Sequence, residues 1–377
     1  MTSKRLLLIG GGHSHVEVIR RFGINPEPGA AVALISPDRH TSYSGMLPGL
    51  IAGHYHFGDC HIDLDALCRR TGAAWIGTSV TGIDTERRSA SCADGSKHAF
   101  DVVSVDTGST PVIAGIPGAA RHGIPIKPVP RFLEYWATLR AAARSATIDL
   151  RIAVVGAGAG GVELALAMQH RIRADSGRAR FTLITDGSAI LASHPARVRR
   201  RFTAVLRQRG ISLRLNAPVQ SATADGLVLR DGEVLPADHV IWVTGAAAPR
   251  WPRASGLQTD TAGFIAVNAH LQSPSHAWLF AAGDVAAMMA TPRPKSGVYA
   301  VRQGPPLAEN LRRALRGAAL VAYRPQRSAL ALISTGDRYA VASYGPFAFS
   351  GAWVWRWKDR IDTAFMRQYN APAQDSR

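Results

Sequence analysis

The sequence predicts an α/β protein of two similar three-layer domains, the second inserted in the first, followed by a small C-terminal β-hairpin and helix region. Three observations predict this fold. A glycine-rich turn between an apolar run and a helical pattern occurs twice, a strand that ends in small residues also occurs twice, and 377 residues exceed the usual size of one hydrophobic core. The repetition predicts that the second domain duplicates the first.

The first glycine-rich turn follows the apolar run 5–9 and is called here the first binding turn, Gly10–His15. Gly10 lets the chain turn sharply, and Gly12 lets backbone N–H groups approach a pyrophosphate at the positive end of the following helix. His15 stands where a third small residue normally lets the helix pack closely on the strand. The histidines either stabilise phosphate or pack. The candidate cofactor-binding residues of this turn are Gly10, Gly12, His13, Ser14 and His15.

The second binding turn, Gly156–Gly161, follows the β-branched run 151–155 and completes the G-x-G-x-x-G pattern with Gly156, Gly158 and Gly161. One such turn arises by chance, but two that lie far apart in one chain seldom do. We therefore expect two Rossmann-like dinucleotide-binding domains.

An acidic residue after the second strand of such a unit binds a ribose. Asp38 lies two residues beyond the strand 31–36, and Asp186 lies directly after the strand 180–185. Both are candidates, although Pro37-Asp38 is equally typical of an ordinary turn. An arginine-rich segment after Asp186 either neutralises a 2′-phosphate, which slightly favours NADPH, or forms a solvated helix face. Its members are Arg197, Arg199, Arg200 and Arg201.

Other candidates come from loops and strand ends. The polar, glycine-punctuated run 39–55 is expected to fold over a cofactor, and small residues after the strand 99–105 let a loop pass close to it. In the Gly283-Asp284 pair at a strand end, the aspartate either accepts a hydrogen bond from a sugar hydroxyl or caps a helix. A helix that starts near residue 295 offers its first N–H groups. The further cofactor-binding candidates are Arg39, Ser44, Gly45, Val80, Thr107, Gly108, Ser109, Gly245, Gly283, Asp284 and Val298.

Composition narrows the function. The formal charge is +17, but the arginines are dispersed and no nucleic-acid module is recognisable, so we expect no nucleic-acid partner. The N-terminal apolar run is too short for a signal peptide and no run approaches the ~20 residues of a membrane span, so a cytoplasmic protein is expected. Cys60, Cys68 and Cys92 lack C-x-x-C spacing, which predicts neither a redox dithiol nor a disulfide framework. No metal site is assigned.

The C-terminal segment is read as a hairpin over 329–345, followed by alternating tryptophans and a helix from 359 to 369. The tryptophans are Trp353, Trp355 and Trp357. Aromatic residues interleaved with cations either dip into a membrane interface or cover a core or a homodimer contact. We favour the second interpretation.

The order of these parts resembles the FAD/NAD(P)-binding pyridine nucleotide-disulfide oxidoreductase superfamily, and within it the type II NADH dehydrogenase and apoptosis-inducing-factor-like branch. The resemblance covers essentially the whole chain. Segments 10–16, 43–49 and 297–304 are most similar to the flavoprotein domain fused N-terminally to some selenide, water dikinases. The resemblance rests on Gly10–Gly12, Thr107-Gly108, Gly156–Glu163, Thr244-Gly245, Gly283-Asp284 and the Gly336-Asp337 hairpin.

The resemblance implies FAD in a domain of residues 1–125 and 270–320, NAD(P)H in a domain of residues 126–269, and a C-terminal interface region 321–377. Hydride would pass from NAD(P)H to flavin N5. Lys295 and Tyr299 would lie near the N1/O2 edge, where a cation or a helix N-terminus stabilises the reduced flavin. Glu163 would lie near the nicotinamide, or else on the helix surface. The implied catalytic residues are Lys295, Glu163 and Tyr299.

The departures from the family pattern leave the electron acceptor open. Disulfide reductases need a cysteine pair beside the flavin, and sulfide:quinone oxidoreductases need cysteines in the second half, where this chain has none. Gly297-Val298 stands where the type II dehydrogenases have Ala-Gln. The leading hypothesis is an FAD-dependent NAD(P)H:acceptor oxidoreductase whose small-molecule acceptor is unidentified, with a quinone and a selenium or sulfur compound as candidates. The alternatives are a quinone reductase peripheral to the inner face of the membrane and a redox-responsive flavin-binding regulatory subunit linked to selenium metabolism.

Overall fold

The computed structural model describes residues 3–370, which form two parallel sheets with helices packed on them and a C-terminal antiparallel unit. The helices are α1 His13–Ile24, α2 Leu47–Ala52, α3 Phe57–Cys60, α4 Leu64–Thr71, α5 Val129–Ser145, α6 Ala159–Ala174, α7 Ala196–Gln208, α8 Trp251–Ala254, α9 Gly297–Arg316 and α10 Ala352–Asn370. The strands are β1 Lys4–Ile9, β2 Ala30–Ile35, β3 His40–Ser42, β4 His61–Asp63, β5 Ala74–Ile76, β6 Val80–Asp84, β7 Ser89–Cys92, β8 Lys97–Ala99, β9 Val102–Val105, β10 Thr110–Pro111, β11 Ile124–Pro125, β12 Leu150–Val155, β13 Ala179–Ile184, β14 Ser212–Arg214, β15 Val219–Thr223, β16 Gly226–Leu229, β17 Val234–Pro236, β18 His239–Trp242, β19 Ala246–Ala247, β20 Ile265–Val267, β21 Leu279–Ala281, β22 Ala286–Met288, β23 Ala331–Ser334, β24 Ala340–Tyr344 and β25 Phe347–Gly351.

The two parallel sheets have matching topology, which confirms the predicted fold class. The first has the order β21-β9-β1-β2-β5 and the second the order β11-β18-β12-β13-β14. In each, the strand before a binding turn lies centrally, and its neighbours contribute their carboxyl ends to the same edge. The central strands read as near-continuous apolar runs because parallel strands are buried on both faces. Both binding turns therefore lie at a topological switch point.

The second domain is inserted in the first. Strand β10, where the chain leaves the first sheet, pairs antiparallel with β19, where the chain comes back. Residues before and after the insertion share one core, which includes Leu8, Phe280 and Leu311. Two short strands lie close to the domain limits that the sequence predicts. Strand β11 (124–125) pairs with β18 of the second sheet, and β20 (265–267) packs in the core of the first domain. The limits 1–125, 126–269 and 270–320 themselves stay a prediction.

The C-terminal region contains the expected hairpin, β23 and β24, to which β25 adds a third strand. The tryptophan segment differs from its sequence interpretation, because α10 begins at Ala352 and includes all three tryptophans. Trp353 and Trp357 are four residues apart, lie on one helix face and stack with ring centroids 6.5 Å apart. Trp355 points elsewhere and contacts His54 at 5.5 Å between centroids. Within residues 3–370, no helix is both long enough and apolar enough to cross a bilayer.

Candidate active site

The first binding turn connects β1 to α1 as the glycine pattern predicts. Gly10 has a φ of +93°, and a Cβ at this position would lie 2.5 Å from the carbonyl oxygen of Asp106. The N–H of Gly12 donates to that same carbonyl oxygen at 3.1 Å. Helix α1 starts at His13 without a side-chain cap. The positive end of α1 therefore faces the edge where β1 and β9 end.

His15 explains how the incomplete fingerprint still packs. Its imidazole is fully buried, with Nδ1 donating to Gly10 O at 2.7 Å and Nε2 accepting from Ser104 Oγ at 2.8 Å. A carbonyl oxygen only accepts, so this tautomer follows from the partners. Burial lowers the pKa of His15 to about 4, so the ring is neutral. The side chain binds helix to strand and has no nitrogen left for a cofactor.

Asp106, which the sequence analysis left out of the candidate residues, lies under the first binding turn. Its buried carboxylate oxygen Oδ2 accepts from the N–H groups of Ser14 at 2.9 Å and His15 at 3.3 Å. Burial raises the pKa of Asp106 to about 7, although the two backbone donors oppose that shift. Its position directly after β9 gave no sign of this role, because only the folded sheet brings β9 beside β1.

Asp284 lies in the short 3-10 turn Gly283–Val285 that follows the neighbouring strand β21, and two side chains hold it in place. Its Oδ2 accepts from Ser109 Oγ at 3.1 Å and lies 3.3 Å from Lys127 Nζ. Lys127 follows β11 of the second domain, so this ion pair joins the domains at the predicted FAD edge. Gly283 donates its N–H to Gln303 Oε1 at 2.6 Å. Thr107 and Gly108 lie in the loop that leads to Ser109.

Helix α9 starts beside this edge, and Val298 and Tyr299 lie in its first turn. Lys295, just before it, donates to the carbonyl of Ala286 and lies 4.0 Å from the centre of the Phe264 ring. Burial lowers its pKa. Lys295, Asp284 and Tyr299 line a cavity of about 220 Å³.

Helix α10 closes the first binding turn from the C-terminal side, which no sequence pattern indicated. Lys358 Nζ donates to the carbonyl of Gly45 at 2.6 Å, and Ser44 lies against the start of α9. The Phe365 ring stacks on Tyr43 at 4.5 Å between centroids. The segment expected to fold over a cofactor is therefore fixed by α10.

The second binding turn matches its fingerprint more fully. Gly156 has a φ of +114°, and a Cβ at Gly161 would lie 1.8 Å from Gly156 O. A Cβ at Gly158, by contrast, would meet no atom within 4 Å. Helix α6 has no side-chain cap, so its first N–H groups face open space. Gly245 lies after β18 at the same edge, near Val112.

Glu163 on α6 points toward the C-terminal unit. Its Oε1 accepts from the N–H of Ser334 at 2.7 Å and from Ser334 Oγ at 3.1 Å. Burial raises its pKa, and the nearby charge of Lys358 opposes that rise. Glu163 follows the second binding turn in sequence, and the structure brings it near α10, the helix that closes the first binding turn.

The ribose candidates lie where the sequence placed them but make few polar contacts. Asp38 is exposed after β2, and partial desolvation of its carboxyl group raises its pKa. Arg39 forms an ion pair with Asp63 at 2.8 Å, which ties two local elements together. Asp186 is exposed after β13. In the arginine-rich segment, Arg201 donates to Tyr339 Oη at 2.6 Å. Val80 lies in β6 and packs against the first core.

The three cysteines are free and buried. Burial raises the pKa of Cys60 and Cys68 to about 12, so both thiols stay protonated at neutral pH. Among residues 3–370 no cluster of three His, Cys, Asp or Glu side chains is placed to hold a metal ion.

The residues of the first binding turn fit a flavin dinucleotide. Gly12 and Gly283 let the backbone lie close to the Asp106 carboxyl group, and within the described chain the buried Nε2 of His13 has no hydrogen-bond partner. Lys127 would bind a phosphate, and Asp284 would accept a hydrogen bond from a sugar hydroxyl. When bound, the flavin ring supplies the hydride and electron chemistry. Two such turns on two duplicated domains define a two-dinucleotide oxidoreductase.

Comparison with known proteins supports that class. The model of the pyridine nucleotide-disulphide oxidoreductase family matches residues 4–304. The chain belongs to this family, and it is an FAD-dependent oxidoreductase that uses NAD(P)H as co-substrate. The predicted family, enzyme class and cofactors are thereby confirmed.

Individual relatives are distant but cover most of the chain. The chain is 25% identical to the NADH dehydrogenase-like protein YutJ of Bacillus subtilis, over 86% of this chain and 87% of the relative. It is 23% identical to a type II NADH:quinone oxidoreductase of Staphylococcus aureus, over 83% of each. The solved sulfide:quinone oxidoreductase of Aquifex aeolicus superposes with a TM-score of 0.81 at 19% identity, over 98% of this chain and 93% of that chain. That last likeness shows the fold alone.

Proposed function

We propose that this chain is an NAD(P)H:quinone oxidoreductase that works at a membrane surface and accepts its quinone beside α10. The observation that carries the proposal is the two-faced character of α10. Its inner face, with Lys358 and Phe365, contacts the segment over the first binding turn. Its outer face belongs to an exposed aromatic patch.

The aromatic patch consists of residues from β25 and α10. Phe347 is 60% exposed, Phe349 56%, Trp353 51% and Trp357 40%. Exposed aromatic residues that lie together mark an interaction surface. Arginines on the same helix are exposed and suit anionic headgroups, as does the formal charge of +17. They are Arg356, Arg360 and Arg367.

The relatives support the choice of acceptor. The Staphylococcus aureus relative is a type II NADH:quinone oxidoreductase at 23% identity. A quinone is apolar and resides in the bilayer, so an enzyme that docks on the membrane next to its flavin meets the substrate there. One face of α10 contacts the segment over the first binding turn, and the other face carries part of the aromatic patch. A membrane bound at the patch would therefore lie close to the flavin.

The residues around the flavin have distinct roles in the proposal. Asp284 and Ser109 hold the ribityl chain. The first N–H groups of α9, near Val298, face the flavin N1/O2 edge and stabilise negative charge on the reduced ring. Glu163 lies on the nicotinamide side, where its carboxyl group orients the ring of NAD(P)H. When bound, the flavin would accept the hydride of NAD(P)H and deliver its electrons to the quinone.

An anaerobic titration tests the proposal. The flavin band of the purified holoenzyme is expected to bleach with NADH or NADPH and to return when a short-chain ubiquinone or menaquinone is added. Return only with oxidised selenium or sulfur compounds would overturn the quinone assignment. A flavin that neither nucleotide reduces would favour the regulatory hypothesis.

Vesicle sedimentation tests the membrane surface separately. Trp353→Ala/Trp357→Ala should bind phosphatidylglycerol-containing vesicles about 100-fold more weakly, because about 3 kcal/mol of apolar burial is lost. The matched control is Ile148→Ala/Val234→Ala, which removes side chains 75% and 56% exposed on the second domain. Equal binding of the two variants would contradict the assignment of the aromatic patch.

A further inference from the structure

The carboxyl group of Asp106 occupies the place where a phosphate would approach the first binding turn. A Cβ at Gly12 would lie 2.2 Å from Asp106 Cγ, and a Cβ at Gly283 would lie 2.2 Å from Asp106 Oδ1. Both glycines were assigned to the cofactor from sequence. The carboxyl group fills the space that a side chain at either glycine would need, so Asp106 lies directly between the first binding turn and Gly283, where the phosphate site is expected.

The two oxygens of Asp106 are not equivalent. Oδ2 accepts from the N–H groups of Ser14 and His15, at 2.9 Å and 3.3 Å. These donors belong to the first turn of α1, where an anion is stabilised. A proton on the carboxyl group therefore resides on Oδ1, the oxygen that faces Gly283 and the phosphate site.

The second domain provides an internal comparison. There, the carbonyl of Val243 lies 2.2 Å from a Cβ at Gly156, just as the carbonyl of Asp106 lies 2.5 Å from a Cβ at Gly10. The same fold position thus carries an apolar side chain in one domain and a carboxyl group in the other. The fold does not need a carboxyl group there, so its presence in the flavin half calls for a reason specific to that half.

We propose that Asp106 is a binding residue for the FAD pyrophosphate, and that its carboxyl group stays protonated in the holoprotein and donates a hydrogen bond from Oδ1 to a phosphate oxygen. The proposal rests on FAD in the first binding turn and is independent of the quinone acceptor. It makes retention of FAD dependent on pH.

The surrounding charges favour the protonated form. Asp284, which follows β21, raises the pKa of Asp106. The positive side chains near Asp284 are engaged elsewhere, since Lys127 of the second domain is paired with Asp284 at 3.3 Å and Lys295 donates to the carbonyl of Ala286. His13 on α1 is neutral because burial lowers its pKa to about 4, as is His15. An ionised carboxylate would therefore meet two negative phosphates with only the N–H groups of Ser14 and His15 to compensate its charge.

The pH dependence follows from linkage. Without FAD the pKa of Asp106 is raised to about 7, and the phosphates raise it further. A ligand that binds only the protonated form loses affinity about tenfold per pH unit above the pKa of the free protein. We expect the dissociation constant of FAD to rise about 50-fold between pH 7 and pH 9, because half of the free protein is already ionised at pH 7.

The test measures the binding of FAD to the apoprotein by flavin fluorescence at pH 6, 7, 8 and 9, together with the rate of FAD release from the holoprotein. In Asp106→Asn, the amide oxygen accepts the two backbone N–H groups and the NH₂ group donates to phosphate. This variant is expected to bind FAD as the unmodified protein does at pH 6, and without pH dependence up to pH 9. Asp106→Val copies the second domain and is expected to bind more weakly at pH 6 but also without pH dependence.

Asp284→Asn serves as the control for a neighbouring carboxylate. It is expected to weaken FAD binding but to keep a steep pH profile. A pH-independent dissociation constant in the unmodified protein would overturn the proposal, and that measurement needs no variant to fold. A pH profile in Asp106→Asn that matches the unmodified protein would also overturn it.

Discussion

Replacing Gly158 by glutamate should abolish reduction of the flavin by NAD(P)H and leave the flavin bound. Gly158 is the N-cap of α6, and a Cβ there meets no protein atom within 4 Å. The new side chain therefore leaves the fold intact and enters the space of the nucleotide pyrophosphate. The two binding turns are separate, so the FAD in the first is unaffected.

The magnitude follows from the open N–H groups at the start of α6. Hydrogen bonds to a charged group contribute about 1.5–3 kcal/mol each. If two such bonds to the pyrophosphate are lost, binding weakens by about 3–6 kcal/mol, which is a factor of about 10²–10⁴ in the dissociation constant. Repulsion between the glutamate and the phosphates adds to that loss.

Anaerobic stopped-flow absorbance measures the rate of flavin bleaching as NADH and NADPH are varied, and the ratio of flavin to protein absorbance measures retention. Gly160→Ala is the matched control, because a Cβ there meets only Val243 Cγ1 at 3.7 Å. Gly161→Ala should instead destabilise the second domain, since its Cβ would lie 1.8 Å from Gly156 O. Rapid reduction of Gly158→Glu would refute the assignment of the second binding turn.

Three further predictions concern the first domain and Glu163. Gly12→Glu should purify without flavin, because its Cβ would lie 2.2 Å from Asp106 Cγ and distort the turn and its carboxylate would repel the pyrophosphate; a yellow protein would contradict this. His15 has a pKa near 4 when folded against 6.5 unfolded, so the unfolded chain takes up protons as pH falls below 6.5 and about 3 kcal/mol of stability is lost by pH 4. Urea unfolding of the apoprotein at pH 7 and 4.5 should show that loss, and equal stability at both would argue against a buried neutral imidazole. Glu163→Gln should keep its flavin but slow reduction by NADH at least tenfold, which stopped-flow bleaching would show; an unchanged rate would remove Glu163 from the site.

The sequence predicted the parts of the site that depend on local backbone geometry. The glycines of both binding turns are recognisable in the sequence, because a tight turn and the close approach of a phosphate require a residue without a side chain. Gly10 and Gly156 have the positive φ that this role implies. From sequence, His15 departs from the glycine pattern. Only the folded sheet shows that Ser104 on β9 donates a hydrogen bond to its Nε2.

The sequence did not predict contacts between distant segments. Asp106 was treated as part of a loop of small residues, since its closeness to α1 depends on the pairing of β9 with β1. Alternation of Trp353, Trp355 and Trp357 suggested a period of two, but the same residues at a helical period place Trp353 beside Trp357. The closure of the first binding turn by α10 spans some 300 positions, from Tyr43 to Phe365.

Helix α10 also gives the protein an optical reporter of its own. Trp355 and the stacked pair of Trp353 and Trp357 lie on the same rigid helix as Phe365, whose ring is 6.1 Å from that of His13. Indole emission overlaps flavin absorption, and energy transfer between them falls steeply with distance. Any ligand that tilts this helix away from the flavin will therefore brighten the tryptophan emission, so movement of the helix can be followed in solution without an added label.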